Sequence, residues 1–194
     1  MKALRVAVMA LVLLLPAVSG RAAGVGDYGM PDWSEAGGKQ LELNGMALRK
    51  AYFLKVYAAG LYLAEKSNDA KAVLAADGPR KMVMHFLRNV DRDDLCKGWR
   101  DGLLANTPAA GAEVRAAFDA LCGYMPDIRE GQDIVFVYLP GQGLSVEVAG
   151  VMKGVLEGGK ATADAVLACW IGDRPGPGER SEERRVGKEC RSRW

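Results

Sequence analysis

The chain has 194 residues, of which 26 are Lys or Arg and 24 are Asp or Glu. Residues 20–179 hold 18 basic and 21 acidic side chains, so the net positive charge of the chain comes from its two ends. A net charge of −3 over this span argues against a nucleic-acid partner, which would need a basic surface. These roughly 160 residues are enough for one domain with its own core.

The N-terminus has the pattern of a signal peptide. Lys2 and Arg5 precede an apolar run over 6–15, and Pro16 ends that run. The run is shorter than the roughly 20 residues that span a bilayer, although an uncleaved membrane anchor is the alternative. We expect a signal peptide over 1–22, a periplasmic or secreted protein, and no stable membrane span after cleavage.

Residues 175–194 are expected to form a disordered tail outside the domain. A Pro/Gly-rich segment leads into residues 180–194, which resemble the translation of a common sequencing adapter. We interpret these fifteen residues as an artefact of read-through. A solvated basic tail and a tether to nucleic acid or membrane are the alternatives.

Alternating polarity predicts a short strand over 39–44, a turn at Asn44-Gly45, and a longer aromatic strand over 50–63. Arg49 lies at the entrance of the longer strand. Within that strand Tyr57, Ala59 and Leu61 share one face, and Ala58, Gly60 and Tyr62 share the other. A short helix capped by Asn68 and a third strand over 81–89 follow.

The second half of the chain predicts two helices, three strands and a final helix. Asp91 caps the first helix, and the second carries Val114, Leu121 and Cys122 on one stripe. Strands over 133–139, 144–148 and 151–156 precede a helix that starts after Gly158-Gly159. The order β-β-α-β-α-α-β-β-β-α predicts an α+β domain over 38–174, with an antiparallel sheet covered on one side by helices.

The cysteines leave two interpretations open. Cys96 lies near the start of one predicted helix and Cys122 at the end of the next, so an antiparallel helix pair brings them together. A disulfide would stabilise an exported protein by roughly 3 kcal/mol, whereas two buried free thiols would pack as small apolar groups. Because the chain has no CxxC and His85 is its sole histidine, we expect no metal site. No phosphate loop or dinucleotide fingerprint is present, and we expect no cofactor.

Six segments of the chain resemble motifs of a single protein family, and they occur in the same order as in that family. They are residues 43–49, 53–63, 84–90, 108–113, 138–143 and 168–173. Together they resemble the chalcone isomerase-like family, in the style of its bacterial exported branch. The resemblance implies an open-faced β-sandwich, in which a large antiparallel sheet faces a layer of helices across a ligand cleft.

The resemblance also implies roles for single residues. Arg49 corresponds to the arginine that stabilises developing negative charge in the plant enzymes that cyclise chalcones, and Tyr57 corresponds to a threonine hydroxyl. Val114 and Leu121 stand where those enzymes have a catalytic tyrosine and an active-site asparagine. Cys169 stands where a Ser/Thr substrate contact belongs. Loss of these donors argues against chalcone isomerase activity.

Another branch of the superfamily binds fatty acids through the equivalent arginine. We therefore expect a non-catalytic protein that binds a fatty acid or similar lipophilic carboxylate, with Arg49 as the anchor. Arg49 as a solvated or paired strand-edge cation is equally open. An isomerase or lyase that acts on a conjugated carbonyl compound through Arg49 and Tyr57 is the alternative function. A non-binding accessory protein of the envelope is a third.

Overall fold

The computed structural model of the chain describes residues 23–25, 28–51 and 53–174. The predicted signal peptide over 1–22 and the predicted tail over 175–194 lie outside these residues, and both stay predictions. Tyr52 and Cys190 also lie outside them.

The elements follow the predicted order, with further strands at the N-terminal side. In chain order they are β1 (Ala23–Val25), β2 (Tyr28–Met30), β3 (Trp33–Ala36), β4 (Lys39–Ala51), β5 (Leu54–Leu63), α1 (Ala70–Ala75), β6 (Arg80–Phe86), α2 (Arg92–Asn106), α3 (Ala112–Tyr124), β7 (Asp133–Leu139), β8 (Gly143–Val148), β9 (Val151–Leu156) and α4 (Gly159–Ile171).

Within the described residues, seven strands form one antiparallel sheet in the order β3-β4-β5-β6-β7-β8-β9. Each strand pairs with its neighbour in sequence, and the helices sit in the connections between β5 and β6, between β6 and β7, and after β9. The predicted α+β class and the antiparallel sheet covered by helices are confirmed. β3 precedes residue 38, where the sequence pattern placed the start of the domain, and it pairs with β4.

The predicted turn at Asn44-Gly45 is wrong, because β4 runs straight through it. Leu43 pairs with Tyr62 and Gly45 pairs with Leu61, so Asn44 is an extra residue in a β-bulge. Before the bulge the buried side chains of β4 are at odd-numbered positions, and after it they are at even-numbered positions. Leu43 and Met46 therefore lie in the same buried cluster. Asn44 Oδ1 accepts a hydrogen bond from the Ser67 amide at 2.7 Å. The chain reverses instead between the end of β4 and the start of β5.

The two faces of the sheet are covered differently. On one face, which we call the helix-facing face, Ala59 and Leu61 of β5 join the core beneath α2, α3 and α4. On the other, Ala58 and Tyr62 pack in a second cluster with Met30 of β2. This arrangement confirms the predicted alternation along β5. The Tyr62 hydroxyl donates to the Pro31 carbonyl at 3.1 Å, which fixes the N-terminal segment against the sheet.

The helices form one layer on the helix-facing face. α1 is capped by Asp69 rather than by Asn68, because Asp69 Oδ1 accepts from the Lys71 and Ala72 amides at 2.9 and 3.2 Å. α2 and α3 run antiparallel, and α4 packs on both of them and on β8. No helix in the described part of the chain has the length and hydropathy needed to cross a bilayer.

Candidate functional site

Arg49 and Tyr57 lie side by side on neighbouring strands. The register pairs Arg49 of β4 with Tyr57 of β5, and residues directly opposite one another in an antiparallel pair share a face. Tyr57 packs against the core of the helix-facing face, which places Arg49 on that face as well. Arg49 is half-buried, and its Nη1 atom is shielded from solvent. A guanidinium and a phenol are therefore cross-strand neighbours at the margin of the apolar core.

Tyr57 connects this margin to α4. The indole Nε1 of Trp170 donates a hydrogen bond to the Tyr57 hydroxyl at 3.0 Å. The Tyr57 ring lies 5.5 Å from the ring of Phe86, and Trp170 lies 6.0 Å from Phe136. These contacts form a continuous aromatic path from Arg49 into the space between the sheet and α4.

A small apolar cavity lies along that path. Its volume is about 20 Å³, which is room for a single water molecule. Drug-sized ligands occupy pockets of roughly 300–1,000 Å³, so an acyl chain could enter only if side chains of α4 moved away from the sheet. The cavity is lined by Leu61, Arg80, Met82, Phe136, Tyr138, Leu144, Ala163, Val166, Leu167 and Trp170.

Val114 and Leu121 lie on α3, away from the Arg49–Tyr57 pair. Both side chains are buried, Leu121 completely. α3 packs on α2, α4 and β9, and four strands separate β9 from β4 in the sheet. These residues contribute apolar surface to the shared core, and their predicted contact with a ligand stays a prediction.

Cys169 faces α2. A methyl group added at Gly102 of α2 would come within 2.7 Å of the Cys169 sulfur, so the two helices approach closely at this point. The thiol also lies 3.5 Å from the Ala165 carbonyl of its own helix. Its neighbour Trp170 donates the hydrogen bond to Tyr57 of the candidate site, and nothing in the sequence pattern distinguished these two residues.

Arg80 is a buried arginine that sequence reasoning did not single out. Its guanidinium donates to Asp164 Oδ1 at 2.6 Å and to the Val73 carbonyl at 3.4 Å, and it lies 4.9 Å above the ring of Tyr138. Lys160 also pairs with Asp164. The alternation of Arg80, Met82, Met84 and Phe86 was the signal that could have placed Arg80 on the helix-facing face.

Tyr138 completes the Arg80 group. Its hydroxyl donates to Asp77 Oδ1 at 2.6 Å. Burial raises the pKa of Tyr138 to about 12, and the hydrogen bond to Asp77 adds to the increase. The charges around Arg80 therefore already have protein partners.

His85 lies on the opposite face of the sheet, beneath the N-terminal segment. Its Nδ1 is 2.6 Å from Asp133 Oδ1, and its ring stacks on Tyr28 with centroids 4.2 Å apart. Burial, and then the nearby Asp133 carboxylate, raise the pKa of Tyr28. The sequence did not identify Asp133 as the partner. The cluster ties β2 to β6 and β7 and is separated by the sheet from Arg49.

The structure brings Cys96 and Cys122 together as free thiols. Both are buried, and the antiparallel packing of α2 on α3 also lets Arg92 Nε donate to the Cys122 carbonyl at 3.2 Å. Burial, followed by a hydrogen bond with Cys96, raises the pKa of Cys122 to about 12. Their oxidation to a disulfide stays a prediction. The described residues contain no group of His, Cys, Asp or Glu side chains arranged to hold a metal ion.

Comparison with known proteins defines the family. The sequence profile of chalcone isomerase-like proteins matches residues 22–179. The chain belongs to the chalcone isomerase-like family. Its structure is also similar to the crystal structure of a fatty-acid binding protein from Arabidopsis thaliana, with a TM-score of 0.59 and 18% sequence identity. That match covers 83% of this chain and 92% of the plant chain. No curated protein matches this sequence.

Proposed function

We propose that this chalcone isomerase-like protein is exported and binds a fatty acid or similar lipophilic carboxylate between the sheet and the helices, without catalysis. One observation carries the proposal. Arg49 and Tyr57 are cross-strand neighbours, and Tyr57 is hydrogen-bonded to Trp170, a wall of the apolar cavity. A cation at the entrance and apolar side chains behind it suit a ligand with an acidic head and an oily tail.

The chemistry of the head group favours Arg49 over Arg80. A guanidinium can offer two parallel N–H donors to a carboxylate. Arg80 already directs its donors at Asp164 and a backbone carbonyl inside the core. Arg49 lies at the margin, where a ligand from solvent can reach it. The Tyr57 hydroxyl accepts from Trp170, and a phenol hydroxyl is also a donor.

The family and the fold support this ligand class. The Arabidopsis thaliana protein with the similar fold is a fatty-acid binding protein. Val114 and Leu121 offer no hydrogen-bond donor where the isomerases of the family require one. This favours binding over turnover.

The small cavity implies that binding opens the helix layer. Leu167 and Trp170 of α4 line the cavity, and they would have to separate from the sheet to admit an acyl chain. Hydrogen exchange in α4 is therefore expected to change when an acid binds, more than in β6 and β7, which form the centre of the sheet.

Acid binding is tested with protein recovered from the periplasm or the medium, whose N-terminus is read from its intact mass. After delipidation, titration calorimetry with medium- and long-chain acids should show saturable binding. Arg49→Ala should weaken it by about 10- to 100-fold, since a hydrogen bond to a charged group contributes roughly 1.5–3 kcal/mol. Arg100→Ala, which removes an exposed arginine on α2, is the matched control.

Two outcomes would contradict the proposal. One is a delipidated protein that takes up no acid of any chain length. The other is an Arg49→Ala variant that binds as tightly as the parent protein. Turnover of a chalcone or enone that depends on Arg49 and Tyr57 would instead favour the isomerase or lyase alternative.

A further inference from the structure

Two hairpins reverse at the same end of the sheet. β4 meets β5 at Ala51 and Leu54, and β8 meets β9 at Val148 and Val151. Because β5 to β8 alternate in direction, both reversals point the same way. Three strand spacings separate β5 from β8, which is about 14 Å. Val148 and Val151 are level with Ala59, so the tip at Phe53 and Leu54 projects roughly 16 Å beyond the second reversal. We call this the hairpin end and define it by Lys50, Phe53, Leu54, Lys55, Val151 and Met152.

The hairpin end exposes most of the large apolar side chains that lie on the described surface. Phe53 is 97% exposed and Leu54 53%, while Val151 and Met152 are 55% and 58% exposed. The other large exposed apolar residues described are Trp33, Leu104 and Val155. Single exposed apolar residues are ordinary, but Phe53 and Leu54 are adjacent at one hairpin tip and together form a patch of the kind that marks a contact surface.

The charge of the first hairpin differs from that of the body. Residues 49–57 contain Arg49, Lys50 and Lys55 and no acidic residue, whereas residues 20–179 carry 18 basic and 21 acidic side chains. A basic, apolar tip on an acidic body favours a partner with an apolar interior and an anionic surface. A bilayer that contains anionic lipid has both properties.

We propose that the hairpin end docks onto an anionic lipid bilayer. Phe53 and Leu54 enter the boundary between head groups and acyl chains, while Lys50 and Lys55 lie among the lipid phosphates. A narrow tip suits a deformable bilayer better than a protein partner, which would need a continuous surface of about 800 Å².

Docking also gives a route for the ligand, and this part rests on the proposed function. Arg49 lies on the strand that enters the first hairpin, directly before Lys50. With the hairpin tip in the bilayer, Arg49 would lie close to the head groups. A fatty acid could then pass from the membrane to Arg49 without crossing bulk water.

The test is flotation of the ligand-free protein with vesicles of equal parts phosphatidylglycerol and phosphatidylcholine. Phe53→Ser with Leu54→Ser should weaken vesicle binding by about tenfold or more, from the loss of buried apolar surface. Lys50→Gln with Lys55→Gln should weaken it by about 25-fold, because each lysine near an anionic surface contributes about 1 kcal/mol, or about fivefold. Both effects should be smaller on phosphatidylcholine alone.

Matched controls come from the opposite end of the sheet. Leu104→Ser removes an exposed apolar residue near the end of α2, and Lys39→Gln with Lys71→Gln removes two exposed lysines. These variants should float as the parent does. All variants should keep the circular dichroism of the parent, and the Phe53 and Leu54 variant should keep its fatty-acid affinity in solution.

The proposal is overturned if the hairpin variants float as well as the parent protein, or if the parent floats with neither kind of vesicle. It is also overturned if sedimentation without vesicles shows self-association that the Phe53 and Leu54 changes abolish, since the patch would then bind a second copy. Fatty-acid binding measured without vesicles separates these outcomes from failure of the proposed function.

Discussion

Two arginines on the helix-facing side of the sheet show how position determines what the same side chain can do. Arg80 lies at the start of β6 with its side chain 6% exposed, and it is bonded to Asp164, to a backbone carbonyl and to the face of Tyr138. Arg49 lies near the end of β4, at the margin of the core and beside the exposed hairpin. Arg80 is enclosed by partners that join the helix layer to the sheet, and Arg49 lies where the proposed ligand could reach it.

Arg80 is a buried cation, whereas Arg49 is a half-buried cation at the margin of the core. Burial of a charge is costly unless partners replace its water. At Arg80 the partners are supplied by α1, α4 and β7, so the network holds the helix layer on the sheet. A ligand at Arg80 would have to displace Asp164, whereas a ligand at Arg49 has a shorter path from solvent.

The largest expected effect is on stability at Arg80. Arg80→Ala should lower the free energy of unfolding by about 3 kcal/mol, because removal of one partner from a buried pair leaves the other without compensation. Lys160 still pairs with Asp164 and limits the loss. Arg49→Ala should cost less than about 1 kcal/mol. Urea unfolding of both variants measures the two losses of stability. Equal losses would show that the two arginines contribute alike to the free energy of unfolding.

A smaller effect is expected at Tyr57. Tyr57→Phe removes the acceptor of the Trp170 indole, and a buried donor left without its partner costs about 1–2 kcal/mol. Urea unfolding followed by tryptophan fluorescence measures this cost. Tyr124→Phe is the control on a half-buried tyrosine of α3. A Tyr57→Phe variant as stable as the parent would show that this contact does not hold α4 to β5.

The smallest and most gradual effect is the dependence of stability on alkaline pH. Burial raises the pKa of Tyr138 from its ordinary value of 10.0 to about 12. The unfolded chain therefore loses this proton at lower pH than the folded protein does. Its contribution to stability is complete below pH 10.0 and is lost as the pH rises toward about 12.

Urea unfolding between about pH 8 and pH 12 tests this dependence. Tyr138→Phe should decline less steeply than the parent over the upper part of that range. Parallel curves for the two proteins would show that Tyr138 titrates at its ordinary pKa. Tyr62, whose pKa burial also raises to about 12, gives the parent a further alkaline slope that the variant keeps.

Local pattern predicted much of the fold. The alternation in β5 and the apolar stripe of α3 were predicted correctly, because the face on which a residue lies depends only on the period of its own element. The Asn44-Gly45 turn failed because the same dipeptide suits a turn or a bulge. The Ser67 amide, 23 residues away along the chain, is bonded to Asn44 in the bulge.

The candidate site was predicted less completely. Arg49 and Tyr57 were predicted from the resemblance and lie together. The sequence did not predict Trp170 as the partner of Tyr57, or Asp164 as the partner of Arg80, since each pair joins segments more than 80 residues apart. Val114 and Leu121 were predicted to contact the ligand, and this stays a prediction; their helix packs on α2, α4 and β9.

The sequence by itself determined the family, the α+β class, the faces of the strands and the cation at residue 49. The tertiary structure alone decided that Arg80 pairs with Asp164 inside the core, that Tyr57 is hydrogen-bonded to α4, and that two hairpins reverse at one end of the sheet. The physical reason is that periodicity is a local property of the chain, whereas burial, pairing and exposure depend on contacts between segments far apart in sequence.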